Sequence, residues 1–180
     1  YLDKQWATEA SLELVRKIIE LDRDNEYFLF VRDEKSFSKT NFEFRLNVNL
    51  VKADYKHYSF SEQFSFNRLL NKYNLDLVHF LNFNVPFMYN KPFVVTIHDI
   101  IHHRLPGTKK SHFLHRLAYR AVMHHAVFAS RRIITVSEFS KKEILDVFKV
   151  PAKKIQVIYE AATTVPITDS DVSLVKQNFD

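Results

Sequence analysis

The sequence predicts a doubly wound α/β domain, a mostly parallel β-sheet with helices on both faces, and three observations carry that expectation. Short apolar runs such as Tyr27-Phe28-Leu29-Phe30-Val31 and Phe93-Val94-Val95-Thr96-Ile97 lack the polar alternation of a half-wet sheet and read as strands covered on both sides. Helical stripes separate these runs, leaving room for the long crossovers that parallel pairing requires. Hydrophobic residues make up 46% of a 180-residue chain, enough for one sizeable core.

The first helix reads from about Trp6 to Leu21, with Leu12, Val15, Ile18 and Ile19 on one stripe, and the strand Tyr27 to Val31 follows. Asp33 to Thr40 is polar loop. Phe42 to Val51 alternates as a strand with one wet face or near an edge does, and Lys52 to Ser59 reads as connection. Ser61 to Tyr73 is expected to be a helix with Phe64, Leu69, Leu70 and Tyr73 as its apolar contacts, and Leu77 to Leu81 the next strand. A loop holding Pro86, Asn90 and Pro92 precedes the strand Phe93 to Ile97, and Pro106-Gly107 marks a turn. A long helix over Lys109 to Ser130 leads to the strand Arg132 to Val136. Ser137 then opens a helix to about Phe148, Pro151 stops it, and Ile155 to Tyr159 is the last strand. The tail holds Pro166 and a helix from Asp169. Because a central strand normally precedes the first helix of such folds, that strand and its glycine turn are expected to be missing.

Composition excludes several chemistries. With no cysteine there are no disulfides, no thiolate nucleophile and no cysteine-ligated zinc, which is compatible with a reducing compartment. Lys and Arg total 26 against 21 Asp and Glu, and the net charge of +5 favours anionic surroundings without naming them. Gly107 is the lone glycine, so no glycine-rich loop is present to cradle a phosphate. No apolar run approaches the roughly 20 residues that span a bilayer. The start Tyr1-Leu2-Asp3-Lys4 lacks both an initiator Met and a signal-peptide pattern, and reads as mid-protein.

Ligands of open α/β sheets bind beyond the carboxyl ends of the strands. Three such ends carry polar groups: His79 with Asn82 and Asn84, then His98-Asp99, then Ser137-Glu138. His98 and Asp99 form the sharpest pair, since an imidazole and a carboxylate at a strand end can position hydroxyls, move protons or polarise a leaving group. The structural alternative is that His98 bonds a loop carbonyl and Asp99 caps the next turn. His98, Asp99, His102 and His103 could be read as metal donors, but no further acidic or histidine element completes a metal motif. Ser137, followed by Glu138 and Ser140, is first an N-cap, with a ligand-orienting role beside it. Lys109 to Arg120 begins a basic amphipathic helix, whose apolar positions recur through Ala121, Val122 and Phe128. Its stripe is expected to face the sheet and its cations solvent, with membrane contact as the other reading.

Four segments in order carry a family resemblance: Asp76 to Pro86, Val94-Val95-Thr96-Ile97-His98-Asp99-Ile100-Ile101, Ile133 to Lys141, and Lys154 to Ala161. Together they resemble the N-terminal domain of glycosyltransferase family four. The resemblance is tight from about Leu75 to Ala162, and before that rests on the pattern of elements. It implies the acceptor-side, Rossmann-like half of a GT-B architecture, with residues 1–162 as the domain and 163–180 leading to a second domain that holds a nucleotide-sugar donor. The implied activity is hexosyl-type transfer, with retention of configuration, to a glycan or lipid-linked acceptor. No metal is obligatory, and the nucleotide-sugar is a substrate, not a cofactor.

By that resemblance His98 and Asp99 are the catalytic residues, with His98 facing the donor sugar or its reacting centre, while Asn82, Asn84 and Ser137, together with Asp99, shape the acceptor side. The isolated chain is expected to be inactive, since the donor domain and the upstream glycine loop are absent from it. Location is expected to be cytoplasmic, with peripheral contact at the inner face of the membrane. A noncatalytic module binding carbohydrate or an anionic surface is the alternative. Nucleic acid is disfavoured, because neither an RNA-reading aromatic motif nor a helix-turn-helix is visible.

Overall fold

The computed structural model describes residues 5–32, 46–55, 62–101 and 113–160. The loop at 33–40, the turn at Pro106-Gly107, residues 109–112 of the long helix and the tail with its helix from Asp169 lie outside the described residues. In chain order the elements are α1 (Gln5–Leu21), β1 (Tyr27–Val31), β2 (Val48–Lys52), a π-helical turn (Glu62–Phe66) running into α2 (Asn67–Lys72), and β3 (Val78–Phe80). They continue with β4 (Phe93–Thr96), α3 (Phe113–Ala129), β5 (Arg132–Thr135), α4 (Glu138–Phe148), a 3-10 turn (Ala152–Lys154) and β6 (Ile155–Val157). Among the described residues every strand pairing is parallel, as the continuous apolar runs predict.

The entry into β1 is set by one carboxylate. Asp22, just past α1, accepts from the amides of Asp24 and Asn25 at 2.9 and 3.2 Å, from the Asn25 side chain at 2.6 Å and from the Tyr27 hydroxyl at 2.6 Å. The Tyr27 bond, followed by that of Asn25, holds the Asp22 carboxyl well below the usual carboxylate range. These bonds satisfy a turn between helix and strand and fix where β1 begins.

β1 and β2 form one sheet, and β3-β4-β5-β6 form another in that order. On the two-stranded sheet, Tyr27, Leu29 and Val31 of β1 with Val48 and Leu50 of β2 pack against Leu12, Val15 and Ile19 of α1. Strand alternation sends Phe28 and Phe30 to the other face. There Phe28 meets Tyr73 at 5.2 Å between ring centroids, and Phe30 meets Phe66 and Tyr73 at 5.8 and 5.6 Å. Thus α1 and the α2 segment lie on opposite faces, the doubly wound arrangement that the sequence predicts.

The main core lies on one face of the four-stranded sheet. Val78, Phe80, Phe93, Val95, Ile133 and Ile155 share that face by register, and Leu70, Met123, Ala126, Val127 and Ile144 bring the helices onto it. Each fully buried large aliphatic or aromatic side chain here contributes about 1.5–3 kcal/mol of hydrophobic stabilisation.

Several boundaries differ from the sequence reading, each for a local reason. β2 starts at Val48 after a turn at Leu46 and Asn47, and the ladder begins where the Asn47 carbonyl accepts the Tyr27 amide at 2.8 Å; Phe42 to Arg45 of the expected strand lie outside the described residues. Lys52, read as connection, ends the strand. The expected helix from Ser61 opens with a π-helical turn, whose wider winding rotates the contact face. Phe64 is therefore 59% exposed, and Phe66 takes the buried place. On α3 the sheet-facing residues are Met123, Ala126 and Val127, while Ala121 and Phe128 are exposed and Val122 is half-buried. Tyr119, Met123, Ala126 and Val127 follow the helical period, which Ala121 and Phe128 do not.

Two strand edges are left open among the described residues. Tyr27 N–H and the Val31 carbonyl point to β2, the latter accepting from Ala53 N–H at 2.7 Å, so the peptide groups of Phe28 and Phe30 point away from it. On β3, Val78 N–H donates to Pro92 at 3.1 Å, and the peptide groups of His79 face the edge not paired with β4.

Candidate functional site

Parallel strands end together, so the chain segments following β3, β4, β5 and β6 emerge on one rim. The ladder carries slightly past β4 and β6: Ile97 N–H donates to the Ile134 carbonyl at 2.8 Å, and Ile158 N–H to that of Thr135 at 2.9 Å. Thr135 is fully buried and its hydroxyl donates to the Ile97 carbonyl at 2.8 Å, fastening the end of β4 to that of β5. Ile97 itself is fully buried and anchors the residue that follows it.

That residue is His98, whose half-buried ring lies between two elements. Its Nε2 is 3.3 Å from the Leu81 carbonyl beyond β3, and its Nδ1 is 3.2 Å from Glu160 Oε1 beyond β6. The His98 backbone is also held, because Ser140 Oγ donates to its carbonyl at 2.9 Å. Ser140 belongs to the first turn of α4, where Ser137 is the N-cap and accepts from the Ser140 amide at 3.0 Å. The Ser137 and Ser140 hydroxyls are 3.0 Å apart. One chain of contacts therefore ties His98 to the rims of all four strands.

The remaining expected site residues sit around this group with separate engagements. Asp99 is exposed and accepts from the Ile101 amide at 3.0 Å, capping its own turn. Asn82 is exposed, next to the Leu81 whose carbonyl meets His98. Asn84 is half-buried, and its Oδ1 has no hydrogen-bond partner among the described residues. Ser137 does the capping work that its sequence context predicts and connects to His98 through Ser140.

His79, grouped at the sequence level with the rim residues, lies elsewhere. It is the middle residue of β3, and its Nε2 makes a 2.9 Å hydrogen bond with the Thr96 hydroxyl of β4. Burial pushes its imidazole down to about 4. A ring that stays neutral and is bonded inside the sheet is a structural group, not a rim group.

Glu160, Ser140 and Thr135 were not singled out as site residues from the sequence. For Glu160 a signal existed: polar residues beyond strand ends were collected for three strands, and the same rule applied to the last would have reached it. Among the described residues no three His, Asp or Glu side chains gather so as to hold a metal ion, and His102 and His103 lie outside them. No described helix is long and apolar enough to cross a membrane.

A parallel α/β sheet with a histidine fixed on its carboxyl rim defines a class of ligand-binding lobes, and comparison with known families makes the class specific. The model of Glycosyltransferase Family 4 matches residues 12–164, and the chain belongs to that family. No curated protein matches the sequence. The fold is accordingly the α/β, Rossmann-like domain of a glycosyltransferase, consistent with one half of a GT-B architecture, and the general substrates of such a domain are a nucleotide-sugar and an acceptor.

Proposed function

We propose that this chain is the acceptor-side lobe of a retaining, hexosyl-type transferase, with residues 1–162 as the lobe and 163–180 leading to a donor-holding lobe. The acceptor, a glycan or lipid-linked glycan, lies against the carboxyl rim, and His98 meets the donor sugar or its reacting centre. Asp99, Asn82, Asn84 and Ser137 line the acceptor side. The nucleotide-sugar enters as substrate through the second lobe.

The observation that supports this most is the fixing of His98, itself beyond β4, from the exits of β5 and β6, by Ser140 on its carbonyl and Glu160 on its ring, with the Leu81 carbonyl beyond β3 set 3.3 Å from Nε2. A group so held is preorganised for a reacting centre. Transfer also needs charge arranged around the departing diphosphate and closure that excludes water, and a single lobe supplies neither. The isolated chain is therefore inactive in this reading. Exposed Arg116 and Arg120 on α3 support peripheral contact with an anionic membrane at the cytoplasmic face.

The test is transfer by the native chain extended through its donor lobe. His98→Ala is expected to lower kcat/KM by on the order of 10²-fold or more, and the 180-residue chain alone to give no turnover. Robust turnover by the chain alone overturns the half-cleft reading. Undiminished transfer by the His98→Ala variant, with glycan still retained by the domain, returns the site to a noncatalytic binding role.

A further inference from the structure

Glu160 has no part in the reading above, yet among the described residues its carboxylate is the one charged group set against the His98 ring. The two ring nitrogens face partners of unequal strength. At Nδ1 the partner is a carboxylate at 3.2 Å, and at Nε2 it is a neutral backbone carbonyl at the longer distance of 3.3 Å. Both partners are acceptors only. A charge-assisted bond outweighs a neutral one, so the first proton on the ring belongs on Nδ1, facing Glu160. A bare Nε2 then confronts the Leu81 oxygen, two acceptors face to face. That contact is relieved by whatever brings a hydrogen to Nε2.

We propose that Glu160 is the positioning residue of His98: it holds the ring proton on Nδ1 and fixes the ring plane, so that Nε2 is the atom a ligand hydroxyl engages. The inference rests on the transferase reading for the identity of that hydroxyl, and on geometry alone for the ring. Glu160 lies on the segment beyond β6, the outermost strand, and reaches back past β5 to the residue beyond β4. Its side chain is 42% exposed, so the pair adds little to stability and its value is orientation. The Ser140 bond to the His98 carbonyl fixes the backbone of the same residue. Backbone and ring are thus held by different elements, α4 and the β6 exit.

The ring state can be read without any activity. Long-range proton–nitrogen-15 spectra of the imidazoles of the 180-residue chain, with His98→Gln to assign the signals, report which nitrogen carries the proton. In the wild type His98 is expected to be protonated on Nδ1. Glu160→Ala is expected to move the proton toward Nε2, and Glu160→Gln, whose amide oxygen still accepts, to move it less. A wild-type ring protonated on Nε2 alone, or a Glu160→Ala spectrum identical to the wild type, overturns the proposal. Backbone amide spectra unchanged away from the rim show that each variant is folded.

In the extended, transferring protein, Glu160→Ala is expected to lower kcat more than it alters KM, with partial rescue by Glu160→Gln. Combined with His98→Ala it is expected to add no further loss. Independent, additive losses overturn the positioning role. If the spectra behave as expected but neither substitution affects transfer, the ring assignment stands and the role of His98 in transfer falls.

Discussion

Burial holds the His79 ring near 4, well under its ordinary 6.5, and the sign of the consequence follows from proton counting. Between those two values the unfolded chain binds a proton that the folded protein refuses. Stability is therefore full above about 6.5 and falls as pH drops through this window, by up to about 1.4 kcal/mol per pH unit. Below about 4 this group takes nothing more. His125 works in the same direction, lowered by burial although its bond to the Tyr89 carbonyl at 3.0 Å opposes the shift. Urea midpoints between about pH 7 and 4 should decline less steeply for His79→Gln than for the wild type; equal slopes would remove His79 as a cause. The same residue shows what a sequence can disclose. A histidine near a strand end was visible, but whether it lay inside the sheet or beyond it depended on where pairing stopped. His98 and Asp99 were placed on the rim by the strand rule, whereas Glu160 is far away in sequence and meets His98 only because parallel strands bring distant exits together.

Elements were most legible where local chemistry marks their ends. Ser137 was readable as a cap because a hydroxyl before a helix satisfies an amide of its first turn, as it does here at Ser140. Ser137→Ala is expected to cost about 1 kcal/mol, measurable as a lower urea midpoint, and an unchanged midpoint would deny the cap any net value. At the other end of α4, Lys149 takes the left-handed conformation, with φ 54° and ψ 33°, where a side chain is strained and glycine is not. Lys149→Gly should accordingly raise stability by a few tenths to about 1 kcal/mol, the relief of strain exceeding the added entropy of the unfolded chain. A lower melting temperature for that variant would contradict the assignment. The strand Tyr27 to Val31 was read to the residue because the apolar run and its pairing coincide. At Leu46 and Asn47 the alternating pattern continues where the chain turns, so pattern alone carried the strand across residues that precede the ladder. The face of the helix after Ser61 was misread because nothing in residue type signals a π-helical turn.

At the scale of the whole molecule, the doubly wound class and the parallel pairings were legible from run length and crossover spacing, while the division of the strands into two sheets was not. Right-handed crossovers run in opposite directions on opposite faces of a sheet. The α2 segment carries the chain from β2 toward β3 on one face, and α1 enters β1 from the other, so a strand feeding α1 belongs on the β3 side of β1. An N-terminal extension bearing an apolar strand of the length of β1, five residues, is expected to raise the melting temperature of the domain. An extension with no such effect would argue that the open edges are not its berth. Edges open among the described residues have a practical consequence. Peptide groups of Phe28, Phe30 and His79, unpaired among the described residues, offer any passing extended chain a template, another copy included. Concentrated preparations should thus scatter more light over time than dilute ones, which makes the seam between the sheets the first place to look when the protein precipitates.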